Sequence, residues 1–355
     1  MSAGPSVQAV ITNYDSQGTI LKSINALLQQ DHLPAKIIVV DNGSSGDAEL
    51  IRRTYPQVRL IELHENTGLT HARNVGLAQA DSDYVLLLDD DVYPAPDCLG
   101  RLLAAGIETG AAVVCPRIVS HPGGGLIQCD GAAIHFAGML ALKDSQLPLA
   151  AVPALPYACN AFIGACLLVK RQVLSDLGGF DEDYFFYFED LELSYRLRSL
   201  GYKIWCEPRA VALHERGSGT PDLSFRGTGA YPRRRAYLTL RHRWLTILLH
   251  YRLRSLIALA PALALYELAA FAECIRRGWV DHWFSAAWSL GTHIRSIFLR
   301  RIKWQRARQL PDRDLLTGGP LPFAQGFVPR GILGGVIHVL GAVLNLNWKL
   351  VRRWV

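Results

Sequence analysis

An α/β fold with a mostly parallel central sheet, followed by a helical and basic C-terminal region, is what this 355-residue sequence predicts. Three observations predict it. From Val7 to Leu88, short apolar runs alternate with stretches of helical spacing. Two of those runs end in polar clusters, Asp41-Asn42-Gly43 and Asp89-Asp90-Asp91, at the kind of strand exit where open α/β sheets collect ligands. After about residue 233 the pattern changes to long apolar and basic segments.

The elements follow in order. Val7–Ile11 is expected as a first strand, and Ile20–Leu28 as a helix through Ile20, Leu21, Ile24, Leu27 and Leu28. Ala35–Val40 is a second strand closed by the Asp41–Gly46 turn signal, Asp47–Thr54 a helix, and Val58–Glu62 a third strand. Thr70–Ala80 reads as a helix and Tyr84–Leu88 as the next strand. Between Cys98 and Cys159 the pattern is less regular, with a flexible turn at His121–Gly125 and a loop from Leu147 to Pro156. Apolar Ala161–Lys170 precedes a helix near Gln172–Leu177. Phe188–Leu200 is a clearer helix, with acidic residues early and Arg196 and Arg198 late, as its dipole favours. Lys203–Cys206 starts another strand, and His214–Gly219 reads as a flexible polar segment.

Half the residues are hydrophobic, so a substantial core is expected and global disorder is not. The seven cysteines are scattered without a CxxC pair, which points to buried thiols rather than a disulfide scaffold or structural zinc. Met1–Pro5 shows neither a basic patch nor an apolar run, so no signal peptide is expected and a cytosolic location follows. The net charge of +6 hides a division. Residues 1–232 carry 17 Lys/Arg against 26 Asp/Glu, whereas residues 233–355 carry 20 against 5, with seven of the eight tryptophans. The basic part must meet something anionic: lipid headgroups, a phosphate-bearing acceptor, or the acidic half. Ser255–Tyr266 runs 12 residues and Gly331–Trp348 runs 18 without formal charge, near or below spanning length. Interfacial helices are the favoured reading, ahead of soluble packing and of a true span.

Three consecutive carboxylates after an apolar strand repel unless solvent or a cation compensates them. A hard ion such as Mg²⁺ or Mn²⁺, completed by diphosphate oxygens, would do so; a solvated loop is the plainer alternative. Alternating side-chain directions would let Asp89 and Asp91 act together while Asp90 points elsewhere. Asp41 is placed either to meet a base or ribose or to cap the next helix. The segment Asn66–Gly76 would cap a helix and turn Arg73 toward phosphate, unless Arg73 is a surface residue. Glu189-Asp190 follows the aromatic run Tyr184–Phe188, and a carboxylate beside aromatics gains a raised pKa useful to a general base. His214 stands either as a metal ligand or phosphate contact, or as a core or surface histidine. No GxGxxG opens the first helix, which argues against a dinucleotide fold.

As an ordered set, these motifs resemble family 2 of inverting glycosyltransferases with the GT-A fold, especially its bacterial rhamnosyltransferase-like branch. The resemblance is carried by Asn13-Tyr14, Val39–Ser44, Glu65–Gly68 with Ala72–Gly76, Leu88–Val92, Gly178–Glu182 with Phe188–Leu193, Gly201–Lys203, and His214, and it covers roughly residues 7–245. It implies a GT-A catalytic domain over residues 1–245 and a helical, basic, membrane-associated region over 246–355. It implies that Asp190 is the catalytic base and Glu189 its orienting neighbour. Asp41, Asn66, Arg73, Asp89 and Asp90 form the expected donor-binding set, with Asp41 recognising the nucleoside. Asp89, Asp91 and His214 form the expected Mg²⁺ or Mn²⁺ site, with Asp91 the direct ligand. The donor would be a nucleoside-diphosphate sugar, with dTDP-rhamnose favoured by the branch. The acceptor would be a saccharide or a polyprenyl-diphosphate-linked one, met peripherally at the cytoplasmic face of an anionic membrane. Arg241–Trp244 superficially resembles the Q-x-x-R-W motif of processive members but lacks its glutamine, and His242 stands where branch members often carry Asn. A metal-dependent nucleotidyltransferase is one alternative, although Thr12–Gly18 lacks the basic, glycine-rich loop such enzymes often show. A non-catalytic, membrane-associated saccharide-binding protein is another. The acidic balance of the first 232 residues speaks against a nucleic-acid surface.

Overall fold

The computed structural model describes residues 4–122, 125–215, 232–323 and 331–355, without the side chains of Ile332 and Leu333. Strands β1 (Val7–Asn13), β2 (Ile37–Asn42), β3 (Arg59–Leu63) and β4 (Tyr84–Asp89) are joined by helices α1 (Thr19–Leu28), α2 (Asp47–Thr54) and α3 (Leu69–Gln79). Then come β5 (Val92–Pro94), α4 (Cys98–Thr109), β6 (Val113–His121), β7 (Ile127–Asp130), β8 (Ala132–His135), β9 (Met139–Leu142) and β10 (Tyr157–Cys159). β11 (Cys166–Lys170), α5 (Arg171–Leu177), α6 (Glu189–Ser199) and β12 (Ile204–Glu215) complete the α/β part. The helical region comprises α7 (Arg233–His250), α8 (Leu253–Arg277), α9 (Val280–Thr292), α10 (Ile294–Ala307) and α11 (Ile332–Val351), with the short strand β13 (Leu316–Thr317) before α11. The division expected after residue 245 falls inside α7.

The main sheet runs β10-β12-β6-β11-β4-β1-β2-β3, with β5 added to β12 and β7 to β6. Its β4-β1-β2-β3 half is parallel, as right-handed crossovers through helices require. β11 enters antiparallel between β4 and β6, so the complete sheet is mixed. Strand alternation divides the core. Ile11, Val39, Leu86 and Leu88 face α1, α2 and α4, whereas Val10, Ile38, Val85 and Leu87 face α3, α5 and α6. A small sheet, β13-β8-β9, packs with α7, α8 and α11 in a third cluster that includes Ile134, Phe136, Tyr195, Ile247 and Trp348.

Three expectations need revision. The weakly periodic stretch from Cys98 to Cys159 is regular, containing α4 and β6–β10. Its pattern was obscured by charges inside strands: buried Arg117 on β6 donates from Nε to Asp130 Oδ1 on β7 at 2.8 Å. His214 and Glu215 are not a flexible segment but the end of β12, held between β5 and β6. The long apolar segments are also not short: α8 has 25 residues and α11 has 20, and both are long and apolar enough to cross a membrane by length and composition. Pro261 sits within α8 without ending it. Glu267, which interrupts the apolar run, is satisfied by Arg243 at 3.0 Å and by the Trp244 and Trp283 indole N–H groups at 2.7 Å each. Gly123 and Gly124 of the expected turn lie outside the described residues, as does Gly217-Ser218-Gly219 of the expected flexible segment.

Candidate active site

The parallel register brings the exits of β1, β2 and β4 together, pairing Thr12 with Asp89 and Asn13 with Asp41. Asp41 is buried and does not cap α2. Its Oδ1 accepts from Asn13 Nδ2 at 2.7 Å and its Oδ2 from the Ser44 amide at 3.2 Å. The same Asn13 amide reaches Ser44 Oγ at 3.0 Å and Asp47 Oδ2 at 3.2 Å, so one side chain draws two carboxylates and a hydroxyl into a single cradle. Sequence reasoning gave Asn13 no chemical role and placed Asp47 only as a helix start. The available signal for Asn13 was its place at the end of β1 opposite Asp41 on β2. Asn66 faces the backbone: its Oδ1 accepts from Asn42 Nδ2 at 3.1 Å and from the Gly68 amide at 3.0 Å, which shapes the turn into α3.

The three aspartates after β4 separate by direction. Asp89 Oδ1 accepts from Arg73 Nη2 at 2.7 Å. Asp90 Oδ2 accepts from the Tyr14 amide at 2.9 Å, and its carbonyl accepts from Ser23 Oγ at 2.8 Å, turning this residue back toward the start of α1. Burial, with Asp91 adjacent, pushes the Asp90 carboxyl well above its ordinary range. Asp91 meets His214. The β5–β12 register sets His214 opposite Val92, and Nε2 of the imidazole lies 3.2 Å from Asp91 Oδ1. His214 Nδ1 is buried without a hydrogen-bond partner.

Arg73 is buried within the sheet's ligand end rather than lying on the surface. Besides Asp89, its guanidinium donates to the Gly164 carbonyl at 2.8 Å and reaches Glu189 Oε1 at 3.5 Å, while stacking 5.2 Å from the Phe180 ring centroid. Gly164 has to be glycine: a Cβ there would stand 2.6 Å from Arg73 Nη1. No sequence motif marked Gly164. Arg73 therefore joins the β4 exit to the start of α6, where Glu189 and Asp190 occupy the first turn.

Burial raises both carboxyls at that helix start. Glu189 rises to about 8, from burial first and then the neighbouring Asp190 charge, with Arg73 opposing. Its Oε2 is buried and unpartnered. Asp190, which is half-buried, rises to about 6 through burial, opposed by the Leu191 amide that donates to Oδ1 at 2.7 Å and by Arg73. Asp190 is thus the more exposed member of the pair and the one raised to the lower value, while Glu189 is buried with Arg73 beside it. The residue pattern alone left the choice between them open, and the family resemblance implied Asp190.

The loop before α6 is held in an unusual backbone shape. Phe185, Tyr187 and Phe188 have φ of 44°, 68° and 71°, a region that costs energy unless the surroundings impose it. The surroundings do. The Phe185 carbonyl accepts from the Leu69 amide at 2.7 Å, closing the start of α3, and Gly68 leaves room for the Phe185 ring. From the helical region, His242 Nδ1 bonds the Tyr187 carbonyl at 2.9 Å, Arg241 donates to the Asp183 carbonyl at 2.8 Å, and Tyr184 Oη shares a hydrogen with Thr246 at 2.8 Å. Arg300 pairs with both Asp181 and Asp183. In the 241–244 tetrad, His242 therefore supports the loop, and Arg243 donates to the Ala137 carbonyl at 2.7 Å.

Comparison with known proteins identifies the family of the chain that carries this constellation. The family model for glycosyl transferase family 2 matches residues 8–137, and that for glycosyl transferase family group 2 matches residues 84–304, more than half the chain. The chain is a family-2 glycosyltransferase. A pre-mycofactocin glycosyltransferase from Mycobacterium tuberculosis is 29% identical to this glycosyltransferase over 214 residues, covering 58% of this chain and 43% of that protein. An N-acetylglucosaminyl-diphospho-decaprenol L-rhamnosyltransferase from the same species is 27% identical over 215 residues, covering 53% and 68%. The enzyme spans about half the length of the curated relatives it matches. These identities are close to one another, so the resemblance to a rhamnosyltransferase-like branch narrows to the family as a whole. The GT-A architecture is shared with a mannosyltransferase from Pyrobaculum calidifontis, solved with GDP-mannose and Mn²⁺, at a TM-score of 0.51 and 21% identity over 86% of each chain.

Among the described residues, no three His, Cys, Asp or Glu side chains converge as a complete metal cage. Asp91 and His214 supply two adjacent donors, and His214 Nδ1 is buried without a hydrogen-bond partner. That arrangement suits a divalent cation only when ligand oxygens complete its sphere. Asp89, expected as a further ligand, is engaged by Arg73.

Proposed function

We propose that this glycosyltransferase moves a sugar from a nucleoside-diphosphate sugar to a saccharide or lipid-linked acceptor with inversion at the anomeric carbon, in the synthesis of a cell-surface polysaccharide. The observation that carries the reading is the Arg73 bridge from Asp89 to Glu189, which ties the strand exit bearing the Asp91–His214 pair to the helix start bearing Asp190, a carboxylate raised to about 6. Asp41 and the Asn13 cradle would receive the nucleoside. Asp91 and His214 would hold Mg²⁺ or Mn²⁺ together with the donor's diphosphate, and the cation would neutralise charge on the leaving group. Asp190 would take the proton from the acceptor hydroxyl as that oxygen attacks the face opposite the diphosphate. Arg73 and protonated Glu189 would fix the orientation of both carboxylate groups. That chemistry belongs to the 1–245 part of the chain.

The 246–355 part would lie peripherally on the cytoplasmic face of an anionic membrane. Support comes from its basic charge and from large apolar side chains exposed on α8 to α11, among them Ile257, Leu268, Trp288, Phe298, Val339 and Leu350. The test is a screen of nucleotide sugars, dTDP-rhamnose included, with Mg²⁺ or Mn²⁺ and lipid-linked acceptors, read by nucleoside-diphosphate release and by the anomeric configuration of the product. Conversion of the nucleotide sugar and added inorganic diphosphate to nucleoside triphosphate and sugar 1-phosphate instead would identify a nucleotidyltransferase, and a product of retained configuration would sink the assignment of Asp190.

A further inference from the structure

Two cavities along α11 share no residue with the site just described. The first, of about 360 Å³, is lined by Arg313, Asp314, Leu316, Trp348, Arg352 and Arg353. Three guanidinium groups meet one carboxylate there, and Arg313 approaches Asp314 only to 3.8 Å. Arg352 and Arg353 have no carboxylate within ion-pair reach among the described residues, and Arg353 lies 4.2 Å over the Trp354 ring. Trp348 is 6% exposed and stacked on Phe136. Two arginines without a carboxylate partner in one concavity are what an anionic oxygen ligand would satisfy.

The second cavity, of about 310 Å³, opens on the same helix and the same strap of chain. Its wall is mostly apolar, formed by Leu321, Phe323, Ile337, Gly341 and Ala342. Trp348 and Gly341 stand two helical turns apart, about 10 Å along the axis. Between them Asn345 Oδ1 accepts from the Gly319 amide at 2.9 Å, which pins the strap to α11. A basic cavity and a mostly apolar one thus lie along the same helix, which exposes Val336, Val339, Val343, Leu346 and Leu350.

We propose that the two cavities form one binding site for a phosphate-bearing lipid. The phosphate lies among Arg313, Arg352 and Arg353 beside Trp348, and the first part of the hydrocarbon chain lies along Gly341 and Leu321. The proposal rests on the membrane-facing reading of the helical region and adds a defined site to it.

The experiment uses the full chain with four probes: neutral phosphatidylcholine vesicles, the same vesicles doped with polyprenyl phosphate, vesicles of equal charge made with phosphatidylglycerol, and soluble pyrophosphate. Flotation reads the vesicles and calorimetry reads pyrophosphate. The wild type is expected to prefer the phosphate-bearing vesicles, and Arg352→Glu/Arg353→Glu to weaken that binding by about 30-fold or more. Arg352→Lys/Arg353→Lys should retain most of it. Gly341→Leu fills the apolar cavity without changing charge, so it should weaken binding to phosphorylated lipid and leave pyrophosphate binding intact. Circular dichroism and Tm matching the wild type accompany each variant. Preference for polyprenyl phosphate at equal charge assigns the site to an isoprenoid acceptor, and equal binding assigns it to a phospholipid headgroup; both support a phosphate-lipid site. If the Glu variant and Gly341→Leu float as the wild type does, the site is refuted while the membrane reading stands. If the wild type ignores every vesicle, both fail.

Discussion

Two regions of this glycosyltransferase, the α/β core and the end of α11, treat charge in opposite ways. In the α/β half, charged side chains close on one another: Arg73 on Asp89 and Glu189, Arg117 on Asp130, and Arg196 on Glu192, all with their guanidinium groups buried. In the helical half, arginines at the end of α11 are left open, beside apolar faces that no part of the described chain covers. A buried ion pair seldom adds net stability, but it fixes geometry, and breaking one partner is costly. An open basic and apolar face does the reverse, contributing little to the fold while remaining available to a surface. Precision of side-chain placement and capacity for attachment are therefore separated along the chain.

Substitutions can break that contrast in decreasing order of effect. Asp190→Asn should lower kcat by about 10²–10⁴-fold while leaving donor binding nearly unchanged, as measured by steady-state kinetics and by calorimetry with the nucleoside diphosphate. Arg73→Met leaves Asp89 and Glu189 facing each other and should cost about 3–5 kcal/mol in chemical denaturation, with activity lost in parallel. A loss below about 1 kcal/mol would mean that the bridge does not organise the site.

The third prediction concerns pH. Glu189 and Asp190 hold protons more tightly in the folded protein, at about 8 and about 6, than in the unfolded chain. The native state therefore binds more protons between the two sets of values, and stability falls as pH rises from about 4.5 to 8. Glu189→Gln should flatten most of that slope in Tm against pH. The transfer rate should rise through about pH 6 as Asp190 ionises, and a rate that falls there would exclude it as the base. The smallest effect is expected on the helical side. Leu268→Gln or Trp288→Gln should change stability by no more than about 0.5 kcal/mol while reducing flotation with anionic vesicles.

Much of this half-and-half design was legible in the sequence. The elements of the first ninety-odd residues stand within a few positions of where apolar spacing places them, as with Asp47–Thr54, because each strand and helix there shows an uninterrupted pattern. β6 and β7 were not legible, since Arg117 and Asp130 look like surface residues until the strands bring them together. The same holds within the site. Asp190 and His214 carried a motif, but Gly164 and Asn13 act through contacts 91 and 28 residues away, with Arg73 and Asp41 respectively. The resemblance named Asp190 as the base, while the difference in burial between it and Glu189 is one that composition does not encode.

The carbonyl of Phe185 donates no chemistry, yet it joins two parts of the molecule that would otherwise be interchangeable. It closes the first turn of α3, which carries Arg73, and it belongs to the left-handed loop that launches α6, which carries Asp190. Segments 66–73 and 181–190 are thus a single module despite more than a hundred residues between them. A chimera that grafts the acceptor-side loop of a relative onto this scaffold has to bring the partner's α3 start with it, and the α7 residues that grip Asp183 and Tyr187 as well. Recombination at the intuitive boundary, just before Gly178, would instead mismatch the two ends of one built unit.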